Sequence, residues 1–204
     1  MILLVATTNA NKLREIRPVL ADLPIELRTL ADVGPVPEPN ETGATFWENA
    51  RIKAFAYARA TGLTVAAEDS GLEIAGLDGE PGVHSARFLG HQTPYAERFA
   101  EIHRRLGSLP RAGRQARFVT ALALVRGTRV LFETETWIDG EVAPAPAGDH
   151  GFGYDPIFFY PPLGKTTAEL TLDEKSAVSH RARAFRDLAR WLRRTGELGH
   201  TQLT

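Results

Sequence analysis

The sequence predicts a mixed α/β or α+β fold, in which helices flank a mixed, partly antiparallel sheet. Short aliphatic runs typical of buried strands alternate with longer segments in which apolar residues recur at helical spacing. In the middle of the chain, two further apolar runs flank Gly127-Thr128, which favours a two-residue hairpin turn and antiparallel pairing. The 204 residues contain no internal repeat and no linker, so we expect one domain spanning residues 1–204.

The first two elements are a strand and a helix. The aliphatic run ILLVAT, residues 2–7, predicts a buried strand. The segment that follows carries Leu13, Ile16 and Leu20 at the spacing of one helical face. Pro18 removes one backbone hydrogen bond from this helix and is expected to kink it.

The second helix has recognisable signals at both ends. Thr45 and Glu48 have the spacing of a capping box at its start, and Gly62 is typical of its end. Residues 63–71, LTVAAEDSG, then predict a second buried strand that ends at a Ser-Gly turn.

Two amphipathic helices follow later in the chain. The first is expected to have Thr93 as its N-cap and Pro94 in its first turn. The last helix is predicted to run from Ser179, as N-cap, to about Arg194. The predicted buried faces consist of Phe99, Ile102 and Leu106 in the first, and of Phe185, Leu188 and Leu192 in the last.

Composition excludes several classes of protein. A formal net charge of −1 argues against a generic nucleic-acid binder, which carries a basic surplus. The absence of cysteine excludes disulfides, thiolate metal ligands and a cysteine nucleophile. The N-terminus lacks the basic region of a signal peptide, and no apolar run approaches membrane-spanning length. We therefore expect a soluble, cytoplasmic protein without a nucleic-acid or membrane partner.

Residues 7–12, TTNANK, join a strand to a helix. Free N–H groups at a helix N-terminus attract phosphate, and the side chains of Thr7, Thr8, Asn9 and Lys12 add donors and a mobile cation. The glycines of a P-loop are missing. The alternative is an ordinary helix cap followed by a solvated lysine.

Acidic residues beside the second helix and in the second strand are candidate metal ligands. Glu48 is explained by the capping box, whereas Glu41 has no structural task that the sequence reveals. Glu68 and Asp69 adjoin a buried run, where unpaired charges are costly and where Mg²⁺ would find hard oxygen ligands. A local hydrogen bond in a turn would explain Asp69 but not Glu68. For Lys53 the alternative to a ligand contact is a solvated helix face.

The motif GFGYDP, residues 151–156, combines glycines with aromatic residues. Glycine permits close backbone approach, and Phe152 and Tyr154 are candidates to stack on a nucleotide base. The alternative is a tight turn with aromatic residues in the core.

Three cations crowd the predicted start of the last helix. Lys175, His180 and Arg181 lie at the end that the helix dipole makes unfavourable for cations, by ~0.3–1 kcal/mol each. An acceptor-rich ligand there would offset this cost; the alternative is that these side chains are exposed and screened.

Seven motifs together resemble one family. They occur in the order TTNANK, ETGATFWENARIKA, AEDSGLEI, PGVHSARF, GFGYDPIFF, GKTTAEL and EKSAVSHRARAF, and they extend from Thr7 to Phe185. In this order and form they are similar to the motifs of the Ham1-like inosine triphosphate pyrophosphatases.

The resemblance implies an activity, a cofactor and an architecture. It implies hydrolysis of ITP, dITP and XTP to the nucleoside monophosphate and pyrophosphate with Mg²⁺. It also implies two lobes with the site in a central cleft, and a homodimer.

The resemblance further implies roles for individual residues. Asp69 is implied as the general base, and Glu41, Glu68 and Asp69 as the metal-binding carboxylates. The residues implied to contact substrate are Thr7, Thr8, Asn9, Ala10, Asn11, Lys12, Lys53, Ser70, Phe152, Gly153, Tyr154, Asp155, Lys175, His180 and Arg181.

Two other functions fit parts of the sequence. A Maf-like pyrophosphatase would act on modified or pyrimidine nucleotides, but GFGYDPIFF and SHRARAF favour the first family. A nucleotide-binding sensor without catalysis would not need Glu41 and Asp69 together with Lys12.

Overall fold

The computed structural model describes residues 1–107 and 109–199, which fall into two compact units. Unit 1 comprises residues 1–69, 120–136 and the described residues from 181 onward, and unit 2 comprises residues 70–119 and 137–180. The strands are β1 Ile2–Val5, β2 Glu26–Thr29, β3 Thr64–Ile74, β4 Gln115–Arg126, β5 Arg129–Val142, β6 Phe158–Tyr160 and β7 Lys165–Thr166. The helices are α1 Ala10–Leu20, α2 Phe46–Thr61, α3 Tyr95–Leu106, α4 Leu172–Val178 and α5 His180–Thr195.

The strands form a mixed sheet in the order β2-β1-β3-β4-β5-β6-β7. Strand β1 pairs in parallel with β2 and β3, whereas β6 pairs antiparallel with β5 and β7. The turn at Gly127-Thr128 joins β4 to β5. The predicted fold class and the predicted hairpin are confirmed. The predicted arrangement of two lobes around a cleft stays a prediction.

The core of unit 1 is largely aliphatic and includes the fully buried ring of Phe185 from α5. Residues of β1, α1 and α5 belong to one buried cluster, as the predicted helical faces require. Pro18 lies exposed inside α1, which continues to Leu20, so the proline does not end the helix. The buried members include Leu3, Val5, Ile16, Leu20, Leu122, Leu124, Phe185, Leu188 and Leu192.

The caps of α2 are as predicted. Thr45 Oγ1 accepts a hydrogen bond from Glu48 N, and Glu48 Oε2 accepts from Thr45 N in return. Gly62 ends the helix with φ 69°, in the left-handed region that favours glycine. Both ends of the helix that supplies two site residues are therefore defined by local sequence.

The predicted cap of α3 is wrong. Pro94, with ψ 147°, is still extended and takes the N-cap position, so the helix begins one residue later. The hydroxyl of Thr93 donates instead to the carbonyl of Leu89. The predicted apolar face of α3, made by Phe99, Ile102 and Leu106, is confirmed as part of the core of unit 2.

The sequence interpretation missed helix α4. Thr171 and Glu174 form a capping box at its start. Lys175 consequently lies in the last turn of α4, the end that favours a cation, and not at the start of the last helix as predicted. Ser179 separates α4 from α5. Of the three predicted cations, His180 and Arg181 lie in the first turn of α5.

In the described part of the chain, none of the helices combines the length and the apolar character that crossing a membrane requires. The predicted location in the cytoplasm stays a prediction.

Replacing Phe185 by Ala tests the core of unit 1. The ring is fully buried, so the cavity should lower the free energy of unfolding by about 3–5 kcal/mol. Arg193→Ala, an exposed site on the same helix, should change it by less than about 0.5 kcal/mol. Urea unfolding of both variants measures the difference, and equal losses would contradict the assignment of the core.

Candidate active site

Strand β3 carries Glu68 and Asp69 side by side in its buried middle. The sequence interpretation ended this strand at a turn after Asp69, but β3 continues to Ile74. The turn explanation for Asp69 is therefore wrong. The nearest partners of the two carboxylates differ, although the charge of Glu68 also raises the pKa of Asp69.

Glu68 is neutralised by cations from two helices. Its Oε1 lies 2.6 Å from Lys12 Nζ and 3.4 Å from Arg181 Nε. Burial by itself would raise the pKa of Glu68, but Arg181 and Lys12 outweigh burial and hold that pKa well below its usual range. Glu68 stays ionised in a buried position for this reason.

The second oxygen of Glu68, Oε2, is buried and has no hydrogen-bond partner among the described residues. A carboxylate oxygen in this state is an acceptor for a cation or for a donor from a ligand.

Arg181 also binds a carboxylate that the sequence interpretation missed. Its Nη1 donates to Glu15 Oε2 at 2.9 Å, and both side chains are buried. Glu15 lies one position before the core residue Ile16 in α1. Its position beside the apolar face of α1 was the sequence signal that could have identified Glu15 as a buried carboxylate.

Asn9 caps α1 and so organises residues 7–12. Its Oδ1 accepts from Asn11 N at 2.9 Å and from Lys12 N at 3.3 Å, and Thr7 Oγ1 accepts from Asn9 N. This is the cap that the structural alternative expected. Thr8, Asn9 and Ala10 are exposed, and Thr7 and Asn11 are half-buried.

Lys12 is not the solvated lysine of that alternative, because it binds Glu68. Burial lowers the pKa of Lys12, and the neighbouring Glu68 carboxylate opposes this shift. Lys12 lies in the first turn of α1, which begins at Ala10, shortly after β1 ends at Val5.

Lys53 joins Asp69 to Glu41. Its Nζ lies 2.9 Å from Asp69 Oδ1 and 3.2 Å from Glu41 Oε1. Burial tends to lower the pKa of Lys53, but Asp69 and Glu41 prevail and raise it. The solvated alternative for Lys53 is therefore wrong, and Glu41 has the partner that the sequence did not reveal.

Asp69 is the carboxylate with the raised pKa. Burial raises the pKa of Asp69, and Lys53 opposes this shift without cancelling it. A carboxylate whose proton affinity is raised by burial is typical of general bases. Ser70 follows it in β3 and is half-buried.

Asn49 was also missed by the sequence interpretation. It is fully buried, and its Nδ2 donates to Asp69 Oδ2 at 3.2 Å. Asn49 precedes Lys53 by four residues, so the two side chains share one face of α2. That spacing was the signal that could have identified it.

The carboxylates suit a hard metal ion that takes only part of its ligands from the protein. Among the described residues, no three or more His, Cys, Asp or Glu side chains form a group that could hold a metal ion. Glu41 and Asp69 nevertheless both contact the ammonium group of Lys53, so two carboxylates lie close together. Mg²⁺ is often held by one or two carboxylates together with waters and substrate phosphates. The donor set therefore fits Mg²⁺.

In unit 2, Asp155 organises the glycine-rich loop. Its Oδ2 accepts from Phe152 N at 2.7 Å and from Lys175 Nζ at 2.5 Å, and its Oδ1 accepts from Thr167 Oγ1 at 2.8 Å. Lys175 Nζ lies 4.9 Å from the centre of the Phe152 ring. Gly153 separates Phe152 from Tyr154 with φ 65°.

Tyr154 and His180 are both buried in unit 2, and Tyr154 belongs to its core. Tyr154 donates to Ser85 O at 2.9 Å, and burial raises the pKa of its hydroxyl to about 12. The His180 ring stacks on Phe118 with the ring centres 5.0 Å apart. For Tyr154 this favours the structural alternative, whereas Phe152 is only partly buried.

Asp155→Asn tests whether one carboxylate maintains the loop. The change leaves Lys175 buried without its counter-charge, so the free energy of unfolding should fall by about 3–5 kcal/mol. Asp149→Asn, the same change at an exposed side chain, should alter it by less than about 0.5 kcal/mol. Denaturant unfolding distinguishes them; similar values would contradict this role of Asp155.

Comparisons with known proteins agree with these motifs. A dITP/XTP pyrophosphatase of Syntrophobacter fumaroxidans is 48% identical over 190 residues, covering 93% of this chain and 81% of that protein. One of Thermus thermophilus is 46% identical over 188 residues, covering 92% and 90%. A HAM1 protein from Coxiella burnetii matches in structure with a TM-score of 0.87 and 39% identity, covering 95% of this chain and 98% of that one. The model of the Ham1 family matches residues 3–191, so the chain belongs to the Ham1 family.

Proposed function

We propose that this protein hydrolyses the non-canonical purine nucleoside triphosphates ITP, dITP and XTP to the monophosphate and pyrophosphate, with Mg²⁺. The observation that carries this proposal is the group in which the buried Lys53 joins the half-buried Glu41 to the buried Asp69. Relatives named dITP/XTP pyrophosphatases at 42–48% identity support the substrate class. The consequence for the cell would be removal of damaged purines from the nucleotide pool.

Asp69 is the proposed general base. Its carboxylate is buried, its pKa is raised, and both of its oxygens are held by donors from α2. In this role it takes a proton from the attacking water while Lys53 balances the negative charge around it.

Glu41 and Asp69 would hold Mg²⁺ between them and the substrate phosphates. A bound magnesium ion polarises phosphoryl oxygens and neutralises charge that develops on the leaving pyrophosphate. Glu68, whose Oε2 has no hydrogen-bond partner among the described residues, is a third oxygen donor for this site.

Residues 7–12 are the proposed triphosphate contacts. Asn9 already caps α1 through its Oδ1, which leaves its NH₂ group as the donor for phosphate. Lys12 forms an ion pair with Glu68, so it would bind phosphate as a shared cation between carboxylate and ligand.

Arg181 is the residue that we propose recognises the purine base. Hypoxanthine and xanthine carry an acceptor oxygen at position 6, whereas adenine carries an amino donor there. The guanidinium presents five N–H donors and no acceptor. Unpaired donors facing the adenine amino group would disfavour ATP.

The loop that contains Asp155 is proposed to bind the purine base through its conformation. Asp155 accepts from Phe152 N, Thr167 and Lys175, so its proposed part in base binding is to orient the loop. Phe152 and Gly153 remain the proposed base contacts, together with His180. A homodimer and a cytoplasmic location stay part of this proposal.

One substrate panel tests the function. The protein is incubated with ITP, XTP, GTP, ATP, UTP and a methylated nucleotide, each with and without Mg²⁺, and the products are identified. We expect IMP and pyrophosphate from ITP only with Mg²⁺, with GTP the best of the standard nucleotides. Preference for UTP or for the methylated nucleotide would favour the Maf-like reading, and binding without turnover would favour a sensor.

Asp69→Asn tests the base. The amide cannot take a proton at neutral pH, so turnover of ITP should fall at least about 10²-fold, within the range for general base catalysis. The circular dichroism spectrum should stay that of the parent. Turnover within a few-fold of the parent would reject Asp69 as the base.

Arg181→Lys and Lys12→Gln separate base reading from phosphate binding. Arg181→Lys keeps a positive charge for Glu15 and Glu68 but loses the planar donors, so the preference for ITP over ATP should narrow about tenfold or more. Lys12→Gln should lower kcat/KM for all triphosphates by one common factor. A common factor in Arg181→Lys as well would make Arg181 a phosphate ligand.

A further inference from the structure

Asn49 connects the loop of Glu41 with the side chain of Asp69. Its Oδ1 accepts a hydrogen bond from Gly43 N at 2.8 Å, and its Nδ2 donates to Asp69 Oδ2 at 3.2 Å. The side chain is fully buried. Because an amide has an acceptor on one side and a donor on the other, one residue satisfies both neighbours.

Gly43 allows the loop to approach α2 closely enough for this contact. A Cβ at position 43 would lie 2.6 Å from Glu48 Cβ and 2.7 Å from Asn49 Oδ1, both closer than packed atoms lie. The loop is therefore pressed against the start of α2 at a position that only glycine permits. Glu41 lies two residues before that contact, and its distance from α2 follows from it.

Asn49 and Lys53 hold both oxygens of Asp69 from one helix. Lys53 donates to Oδ1 and Asn49 donates to Oδ2, one helical turn apart. The terminal torsion of a carboxylate has broad preferences, so a single donor leaves the plane of the group free to turn. Two donors from one rigid helix define that plane.

We propose that Asn49 is a positioning residue that sets the orientation of Asp69 and its distance from Glu41. This inference rests on the proposed function, in which Asp69 takes the proton and both carboxylates hold the metal. Asn49 acts through the two groups that it holds, the Asp69 carboxylate and the loop of Glu41. Its loss should affect the rate of turnover more than the binding of nucleotide.

Two substitutions at position 49 test this role. Asn49→Ala removes both hydrogen bonds, and Asn49→Leu removes them at a nearly unchanged side-chain volume. We expect kcat for ITP to fall on the order of 10²-fold in both, as misplacement of a catalytic group by about 1 Å can cause. KM for ITP should stay within about threefold of the parent.

Thr45→Ala is the matched control. It removes the cap at the start of α2 and touches neither Asp69 nor Glu41, so it should lower Tm by about 2–4 °C and leave kcat unchanged. A fall in kcat for Asn49→Leu that Thr45→Ala does not share, with unfolding still cooperative, supports the proposal.

Three outcomes would overturn the proposal. They are kcat within about threefold of the parent in both variants, a loss of kcat that Thr45→Ala shares, or loss of cooperative unfolding in both variants. Pyrophosphate release by the parent protein is measured first. If the parent releases none, the proposed function is rejected, and the proposal for Asn49 is not the cause.

Discussion

The arrangement of unit 1 depends on the burial of two adjacent carboxylates in β3. An unpaired buried charge costs several kcal/mol, so Glu68 and Asp69 each require their own cation. Their nearest cations differ, although Lys53 draws the pKa of both carboxylates downward. Lys12 and Arg181 therefore approach from α1 and α5, whereas Lys53 approaches from α2.

Strand pairing brings the first of these cations into place. Val5 in β1 is opposite Ala66 in β3, and Ala6 N donates to Ala66 O. The chain that leaves β1 thus enters α1 close to the position of Glu68, and Lys12 lies in the first helical turn. The parallel register and the ion pair support each other, because a shift of the strands would leave Glu68 with an incomplete set of partners.

Buried charges in unit 2 also have polar partners, but there one carboxylate and one cation each collect several of them. Asp155 is one buried carboxylate that serves a backbone N–H, a hydroxyl and an ammonium. Arg98 in α3 is one buried cation, and it donates to the carbonyls of Thr93, Ser85, Ala86 and Gly90. Each of these charges has several polar partners, and at least one of them is a backbone group of a neighbouring loop.

The sequence by itself determined the local features of this protein. The capping box of Thr45 and Glu48, the glycine end of α2 and the apolar helical faces depend on residues only a few positions apart, and all are confirmed. The cap of α3 and helix α4 also depend on local signals, but Pro94 and the Thr171 box were misread or overlooked. The candidate residues were recognised because their motifs resemble a family.

Only the tertiary structure decided which charge binds which. Lys53 and Lys175 had plausible solvated alternatives, and each is buried against a carboxylate 16 or 20 residues away. Arg181 lies 166 positions from Glu15, and Asn49 meets Asp69 through a contact between a helix and a strand. Such pairs form because burial makes an unpaired charge costly, and the identity of the nearest partner depends on strand register and helix placement, which no short stretch of sequence contains.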